Sequence, residues 1–262
     1  MIQNNAIGSW RALRPECQII LLGNEPGIED AAKRWGVEWI PEVARTEMGT
    51  PLLNAAFSIA SQHARHDWIC YVNCDIVLFN DFVELPAKAR STRTLFVGQR
   101  WDYDITAPLD FQNLDWPSNL RSDVAARGKL HPPAGSDYFL FHKSSGLSEL
   151  PPFAVGRPGW DVWFLYNARR RGFVFVDASP SITVVHQNHD YRHVPQGRGD
   201  YNGPEGDANM KIVNEIPYMC TLEDATHKLR DGKIRRAYSY EYFRRSFLRW
   251  KCILASKRSK TR

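Results

Sequence analysis

Apolar residues in the first 190 positions alternate between helical spacing and short continuous runs. Asn4 or Asn5 can cap a first helix, and Gly36 ends a second helical pattern. Short apolar runs predict strands at 18–22, 37–40, 94–97, 138–141, 173–176 and 182–185, and helical spacing recurs at 50–60 and 160–171. This alternation predicts a single α/β domain over residues 1–190, with a mainly parallel central sheet flanked by helices.

One further run, WICYVNCDIVLF at 68–79, has the composition of a strand buried on both faces but contains Asp75. Burying an unpaired carboxylate is costly, so we expect Asp75 to bind a partner. Side chains two apart on extended backbone point the same way, so Asn73 and Asp75 can face one ligand where the strand ends. Oxygen donors of this kind suit Mg²⁺ or Mn²⁺. The alternative is an Asx turn that ends the strand.

Basic residues are concentrated at the end of the chain. Residues 230–262 hold twelve Lys and Arg against Asp231 and Glu241, within a net charge of +5 for the whole chain. The remainder is acidic and carries no nucleic-acid-reading motif, so nucleic acid is not an expected partner. Four apolar residues of this tail recur at helical spacing: Phe243, Phe247, Trp250 and Leu254. Either residues 237–262 contact an anionic membrane, or they form a last helix packed on the core with solvated charges.

The sequence contains no apolar stretch long enough to cross a bilayer and does not open on a signal-peptide pattern, so we expect a cytoplasmic protein. Peripheral contact with the inner face of a membrane follows if the tail binds lipid.

Residues 191–210 are polar and glycine-rich, which suits either a flexible lid over a bound nucleotide or a disordered connection. Residues 211–262 are expected to form a helical basic extension. The five cysteines are unclustered and are interpreted as core thiols.

Four short motifs follow one another along the chain: RTEMGTPLLN at 45–54, Asn73-Cys74-Asp75, GWDVW at 159–163, and His186 after a predicted strand. In this order they resemble the nucleotide-sugar glycosyltransferases of GT-A type. A D-x-D element at the end of a buried central strand holds the metal in that family, and YVNCDIVL is similar to it with Asn at the first position. The family's first strand should precede the first helix. Almost no chain is present there, so either the start is truncated or the nucleobase is held differently.

The resemblance implies a metal-dependent glycosyltransferase that moves a sugar from a nucleotide-diphosphate donor to a glycan or lipid-linked acceptor. It implies Mn²⁺ or Mg²⁺ as cofactor, with Asp75 as the main ligand and Asn73 and His186 assisting. His189 and Asp190 are the reserve ligands. Because a metal-binding imidazole must be neutral, activity is expected to fall below about pH 6.

Donor contacts are implied for Asn24, Glu25 and Arg45, with Arg45 at the pyrophosphate and the other two at ribose or base. A solvated turn residue is the alternative for Glu25. Asp161 is the implied general base of an inverting transfer, and a simple helix N-cap is its alternative.

An aromatic ring beside acidic groups can form a sugar platform, since CH faces stack on indole and carboxylates accept hydroxyl hydrogens. Residues with this composition supply the expected sugar or acceptor pocket: Trp101, Asp102, Asp104, Asp137 and Trp160. Two other functions stay open. One is a catalytically inactive nucleotide-sugar-binding protein of the same fold, and the other is a nucleotidyltransferase.

Overall fold

The computed structural model describes residues 1–189 and 203–259 and has an α/β architecture. The helices are α1 (Ile2–Arg11), α2 (Ile28–Trp35), α3 (Leu53–His63), α4 (Leu85–Lys88), α5 (Trp116–Arg127), α6 (Trp160–Arg170), α7 (Pro204–Val213) and α8 (Tyr240–Ser259). The strands are β1 (Ile20–Leu22), β2 (Glu38–Ile40), β3 (Trp68–Val72), β4 (Ile76–Val77), β5 (Thr94–Val97), β6 (Trp101–Tyr103), β7 (Lys129–Leu130), β8 (Tyr138–His142), β9 (Val174–Asp177), β10 (Val185–Gln187), β11 (His227–Arg230) and β12 (Lys233–Arg236).

The largest sheet has the strand order β12-β11-β9-β5-β8-β3 and is mixed. Strand β9 pairs in parallel with β5 and β11, whereas the β12–β11, β5–β8 and β8–β3 pairs are antiparallel. The prediction of a mainly parallel central sheet is therefore wrong, because β8 inserts between β3 and β5 in the opposite direction. Strand β3 is an end strand of this sheet, and all five of its residues are half-buried instead of enclosed on both faces.

Both faces of the large sheet are covered. On β5, Phe96 packs in one buried cluster while Leu95 and Val97 pack in another, as alternation along a strand requires. The first cluster includes residues of α1 and α2, and the second includes residues of α3 and α6. The helices therefore form layers on opposite sides of the sheet.

A second sheet, ordered β4-β10-β6-β7, carries the candidate site. Helix α1 holds it in place, since the Trp10 indole donates to the Ile76 carbonyl at 2.9 Å and the Leu78 amide donates to Ser9 Oγ at 3.1 Å. The predicted cap at Asn4 or Asn5 is not observed, because α1 begins at Ile2. Asn5 is buried instead and donates to the side chain of Gln187, on β10, at 2.9 Å.

The C-terminal part is not purely helical. The hairpin of β11 and β12 extends the large sheet, and α7 at 204–213 includes the last residues of the 191–210 segment expected to be loop. The rest of that predicted lid, together with Asp190, lies outside the described residues. Within the described part of the chain, no helix has both the length and the apolar character required to cross a membrane.

Candidate metal centre

Asp75 lies in a tight turn between two sheets. Strand β3 ends at Val72, and the Ile76 amide then donates to the Asn73 carbonyl at 3.2 Å, which closes the turn before β4. The backbone is therefore not extended over 73–75, and the argument that Asn73 and Asp75 point the same way fails. The strand does end here, as the Asx-turn alternative expected. Ending the strand is not the only role of the Asp75 side chain.

Two imidazoles face one oxygen of Asp75. Nε2 of His186 and Nε2 of His189 each lie 3.3 Å from Asp75 Oδ2, and the three side chains are 13–22% exposed. The other oxygen, Oδ1, is buried and has no hydrogen-bond partner among the described residues. One ligand atom from each of the three residues lies within 4.8 Å of the other two, close enough for all three to hold one ion.

Strand pairing brings these side chains together. His186, in the middle of β10, is the register partner of Ile76 on one side and of Asp102 on the other. Asp75 directly precedes β4, so it lies beside His186 across the sheet. The Gln187 amide also donates to the Asp75 carbonyl at 3.1 Å, which fixes the turn against β10.

A second carboxylate lies behind His186. Asp102 Oδ1 is 3.2 Å from His186 Nδ1, and Asp102 Oδ2 is 2.8 Å from Nδ1 of His131. Arg100 joins this group to the turn, donating from Nε to Asp102 at 2.9 Å and from Nη1 to Asp137 at 2.6 Å. Asp102 was predicted as a sugar contact, but its oxygens are directed at these protein partners.

Asn73 closes the network. Its amide nitrogen donates to Asp137 Oδ1 at 2.8 Å, and its backbone amide donates to the Asp137 carbonyl at 3.1 Å. Asp137 is buried and accepts hydrogen bonds from Asn73 and Arg100. It therefore stabilises the turn and does not line an open pocket. The other polar atom of the Asn73 side chain, Oδ1, can still contact a ligand.

The electrostatics of the centre suit a cation. Burial alone would raise the pKa of Asp75, but hydrogen bonding and charge interaction with His186, and then with His189, hold it below its ordinary value. The carboxylate is therefore ionised at neutral pH. The network contains three carboxylates, of Asp75, Asp102 and Asp137, and the Arg100 guanidinium pairs with the last two, so one guanidinium faces more than one negative charge. With an orphaned oxygen and two imidazole nitrogens, these residues fit a divalent metal ion.

The predicted donor-binding residues also form one cluster. Arg45 donates to Glu25 Oε1 at 2.8 Å, to Asn24 Oδ1 at 2.5 Å and to the Gly49 carbonyl at 2.7 Å. The solvated-turn alternative for Glu25 is incomplete, because its carboxylate is paired with Arg45.

Asp161 occupies the first turn of α6, after Gly159 in the left-handed conformation at φ 100°. Burial raises the pKa of Asp161, the backbone amides of Val162 and Asp161 itself lower it, and the charge of Asp137 raises it. Gly159 is the N-cap residue of α6 and no side chain caps the helix, so the N-cap alternative for Asp161 is not observed. Trp160, predicted in the sugar pocket, is only 7% exposed and packs on Tyr71 and Phe139, so it belongs to the core.

The remaining predicted pocket residues lie close to the centre. Trp101 is half-buried on β6 and packs with a satellite apolar cluster. Asp104 follows the same strand and accepts from the Asn188 amide at 2.8 Å, one residue before His189. Asp104 therefore has a protein partner next to a candidate ligand.

Two groups were missed from the sequence. Arg100 and His131 carry the network behind His186 but have no local motif, apart from the Arg-x-Asp spacing of Arg100 and Asp102.

The second group surrounds Glu205 on α7, which is 6% exposed. It accepts from Arg157 Nη2 at 2.8 Å, from Thr50 at 2.7 Å and, through Oε1, from Thr46. This group attaches α7 to the segment that carries Arg45.

Two surface cavities of about 200 and 420 Å³ lie elsewhere. The first is lined mainly by α1, α5 and residues 78–81, and the second mainly by α3 and residues 143–150. Neither is lined by Asp75, His186 or His189. Each cavity is lined by one residue with an unpartnered buried oxygen, Asp81 in the first and Asn54 in the second. Neither brings a carboxylate together with two imidazoles, so we place the candidate chemistry at Asp75.

No protein-family model matches the chain, and no curated protein matches it. One solved crystal structure, of a mycobacterial protein, is similar over 73% of this chain and 66% of its own, at 18% sequence identity and a TM-score of 0.43. The chain thus spans slightly less than two thirds of that protein's length. A likeness of this size is too weak to assign a fold family or a function.

Proposed function

We propose that this protein is a metal-dependent glycosyltransferase of GT-A type, which moves a sugar from a nucleotide-diphosphate donor to a glycan or lipid-linked acceptor. The observation that supports it is the Asp75 carboxylate facing two imidazoles directly after strand β3. This is the position at which the resemblance to that family expects a metal ligand.

Asp75, His186 and His189 would hold the ion, with Asn73 Oδ1 available beside them. Nitrogen donors fit Mn²⁺ or a later transition metal better than Mg²⁺, which prefers oxygen ligands and keeps its waters. When bound, a divalent ion neutralises negative charge on a leaving diphosphate. The Arg45 guanidinium, held by Asn24 and Glu25, supplies a second positive charge for the same group.

Asp161 would act on the acceptor. The acceptor oxygen forms its bond to the anomeric carbon, the bond from that carbon to the diphosphate oxygen breaks, and the hydroxyl proton passes to the Asp161 carboxylate. A single displacement of this kind inverts the anomeric configuration. The raised pKa of Asp161 serves this role because a base is most effective when its pKa approaches the working pH.

Thermal-shift screening of nucleoside diphosphates and their sugars, with and without Mn²⁺, tests the proposal. A true donor raises the melting temperature by mass action only when metal is present. The hit is then incubated with Mn²⁺, and the released nucleoside diphosphate is measured. Asp75→Asn is expected to abolish both effects, whereas Asp67→Asn, an exposed aspartate just before β3, leaves them intact.

Each other result has a definite meaning. Binding of a nucleotide sugar without hydrolysis or transfer indicates the inactive binding protein. Failure of every donor to stabilise the Mn²⁺-loaded chain contradicts the glycosyltransferase proposal, even if Mn²⁺ itself binds.

A further inference from the structure

Helix α8 turns its apolar side chains to solvent. Phe243, Phe247 and Trp250 are 57%, 54% and 55% exposed, and Leu254 is 36% exposed. Their spacing of four, three and four residues places them in one stripe along the helix. A helix whose only role is to pack on a core shows the opposite arrangement, with its apolar face buried.

The opposite side of α8 is fixed to the protein by polar contacts. Arg245 donates to Asp224 at 2.6 and 3.0 Å and to the Met219 carbonyl at 3.1 Å. Asp224 is 2% exposed, so Arg245 is the charge partner of a buried carboxylate. Rolling the helix to bury the apolar stripe would break this pair and leave Asp224 buried without its partner. The outward orientation of the stripe is therefore built into the fold.

Positive charge flanks the stripe. Among the described side chains of α8, the exposed basic residues are Arg244, Lys251 and Lys257. Glu241, the one acidic residue of α8, is already paired with Arg244. The exposed surface of the helix thus combines aromatic and aliphatic side chains with Lys and Arg side chains.

We infer that α8 docks on an anionic phospholipid surface. Aromatic and Leu side chains in one stripe can enter the boundary between headgroups and acyl chains, while Lys and Arg beside them contact lipid phosphates. Each such cation strengthens binding to an anionic bilayer. A second copy of this chain fits less well, because apposing two stripes brings two rows of cations together without an acidic face to meet them.

The site also has a suitable shape. A single convex helix offers no groove for a peptide, but it lies readily in the plane of a bilayer. Tyr238 and Tyr240, at the start of the helix, are 71% and 82% exposed, and tyrosine rings favour the headgroup region. Nothing in this inference depends on glycosyl transfer.

Vesicle flotation of the full chain tests the inference, with phosphatidylcholine vesicles compared with vesicles that also contain phosphatidylglycerol. The wild-type chain is expected to float with the anionic vesicles at low salt, to dissociate at high salt, and to bind neutral vesicles poorly. Phe247→Ser with Trp250→Ser, and separately Lys251→Glu with Lys257→Glu, should each weaken binding about tenfold or more.

Matched controls lie elsewhere on the surface. Leu114→Ser removes an apolar residue that is 92% exposed, and Lys211→Glu reverses an exposed charge on α7, so both variants should bind like wild type. Circular dichroism confirms that each variant is folded. Absence of flotation, equal binding to neutral vesicles, or equal loss in the controls overturns the inference. A dimer in light scattering that the Phe247 and Trp250 changes convert to monomer, without vesicle binding, assigns the stripe to a second copy instead.

Discussion

Asp102 Oδ1 lies 3.2 Å from Nδ1 of His186, on the side of the imidazole opposite to the nitrogen that faces Asp75. The two residues are register partners on adjacent parallel strands, so the sheet itself sets their separation. His131 and Arg100 occupy the remaining sides of the Asp102 carboxylate. The contact is not aligned as a hydrogen bond, but the negative charge of a carboxylate behind a metal-binding histidine makes the ligating nitrogen more basic.

The first prediction follows from this pair. Asp102→Asn should weaken Mn²⁺ binding by roughly 10- to 100-fold, since the amide cannot reproduce the charge behind His186. Isothermal titration calorimetry measures the affinity directly and requires no activity assay. Asp123→Asn, on the exposed surface of α5, is the control and should bind Mn²⁺ like wild type. Equal affinities for the two variants would show that Asp102 has no part in metal binding.

The second prediction concerns pH and metal. Because the pKa of Asp75 lies below its ordinary value, its carboxylate stays ionised between pH 5 and 7, so loss of Mn²⁺ binding in that range reports the imidazoles. Protons compete with metal for imidazole nitrogen, and Mn²⁺ affinity should therefore fall as pH drops below about 6.

Calorimetry across this range, on wild type and on His186→Gln and His189→Gln, checks the second prediction. Each variant should lose at least about tenfold in affinity at pH 7 and show a shallower pH dependence. A wild-type affinity that stays constant down to pH 5 would remove both histidines from the ligand set.

The sequence predicted the elements better than their arrangement. Strand β5 and helix α2 were correct because their signals are local: an apolar run for the first, and for the second a Gly36 that adopts the left-handed conformation at φ 60°. The mixed order of the large sheet was missed, since the antiparallel insertion of β8 depends on contacts far apart in sequence.

The prediction of the site from the sequence was likewise limited to local signals. The sequence singled out Asp75 because a carboxylate in an apolar run is a local anomaly. His186 was named through the family resemblance, with His189 as a reserve ligand, and it lies within β10 instead of after a strand. The sequence placed Asp102 and Asp137 in a sugar or acceptor pocket and did not predict their protein partners. Their partners Arg100, His131 and Asn73 reach them through strand register and a turn, which no local pattern encodes.

The third prediction separates two roles of Asp161. Burial raises its pKa in the folded protein above the ordinary value of 3.8, so the folded state binds the proton more tightly than the unfolded chain. The ionised carboxylate therefore destabilises the fold at neutral pH, and this penalty disappears as pH falls below 3.8. Asp161→Asn should raise the melting temperature at pH 7, and the difference from wild type should shrink toward pH 3.

The same Asp161→Asn variant should lose roughly 10²- to 10⁴-fold in kcat, because an amide cannot accept the acceptor proton. Donor affinity should be unchanged in the thermal-shift assay. A helix cap would give the reverse, with lower stability and a nearly normal rate. Asp207→Asn, in the first turn of α7, serves as a control for substitution of a helix-start aspartate.

The fourth prediction concerns Glu205, which attaches α7 to the Arg45 segment. Burial raises the pKa of Glu205, but hydrogen bonds from Thr46, Thr50 and Arg157 outweigh it and lower the pKa below the ordinary value of 4.5. A lowered pKa in the folded state means that the ionised form stabilises the fold. This contribution is fully present above pH 4.5 and is lost as pH falls through the folded pKa.

Glu205→Gln should therefore destabilise the protein by about 2–3 kcal/mol at pH 7, because the charge on Arg157 loses its partner while the amide keeps one accepting oxygen. Urea unfolding at pH 7 and at pH 3.5 measures the change, and the gap between variant and wild type should narrow at the lower pH. Glu47→Gln, on the exposed part of the same segment, should unfold like wild type. A destabilisation of equal size at both pH values would mean that packing, and not the charge of Glu205, holds α7 against the Arg45 segment.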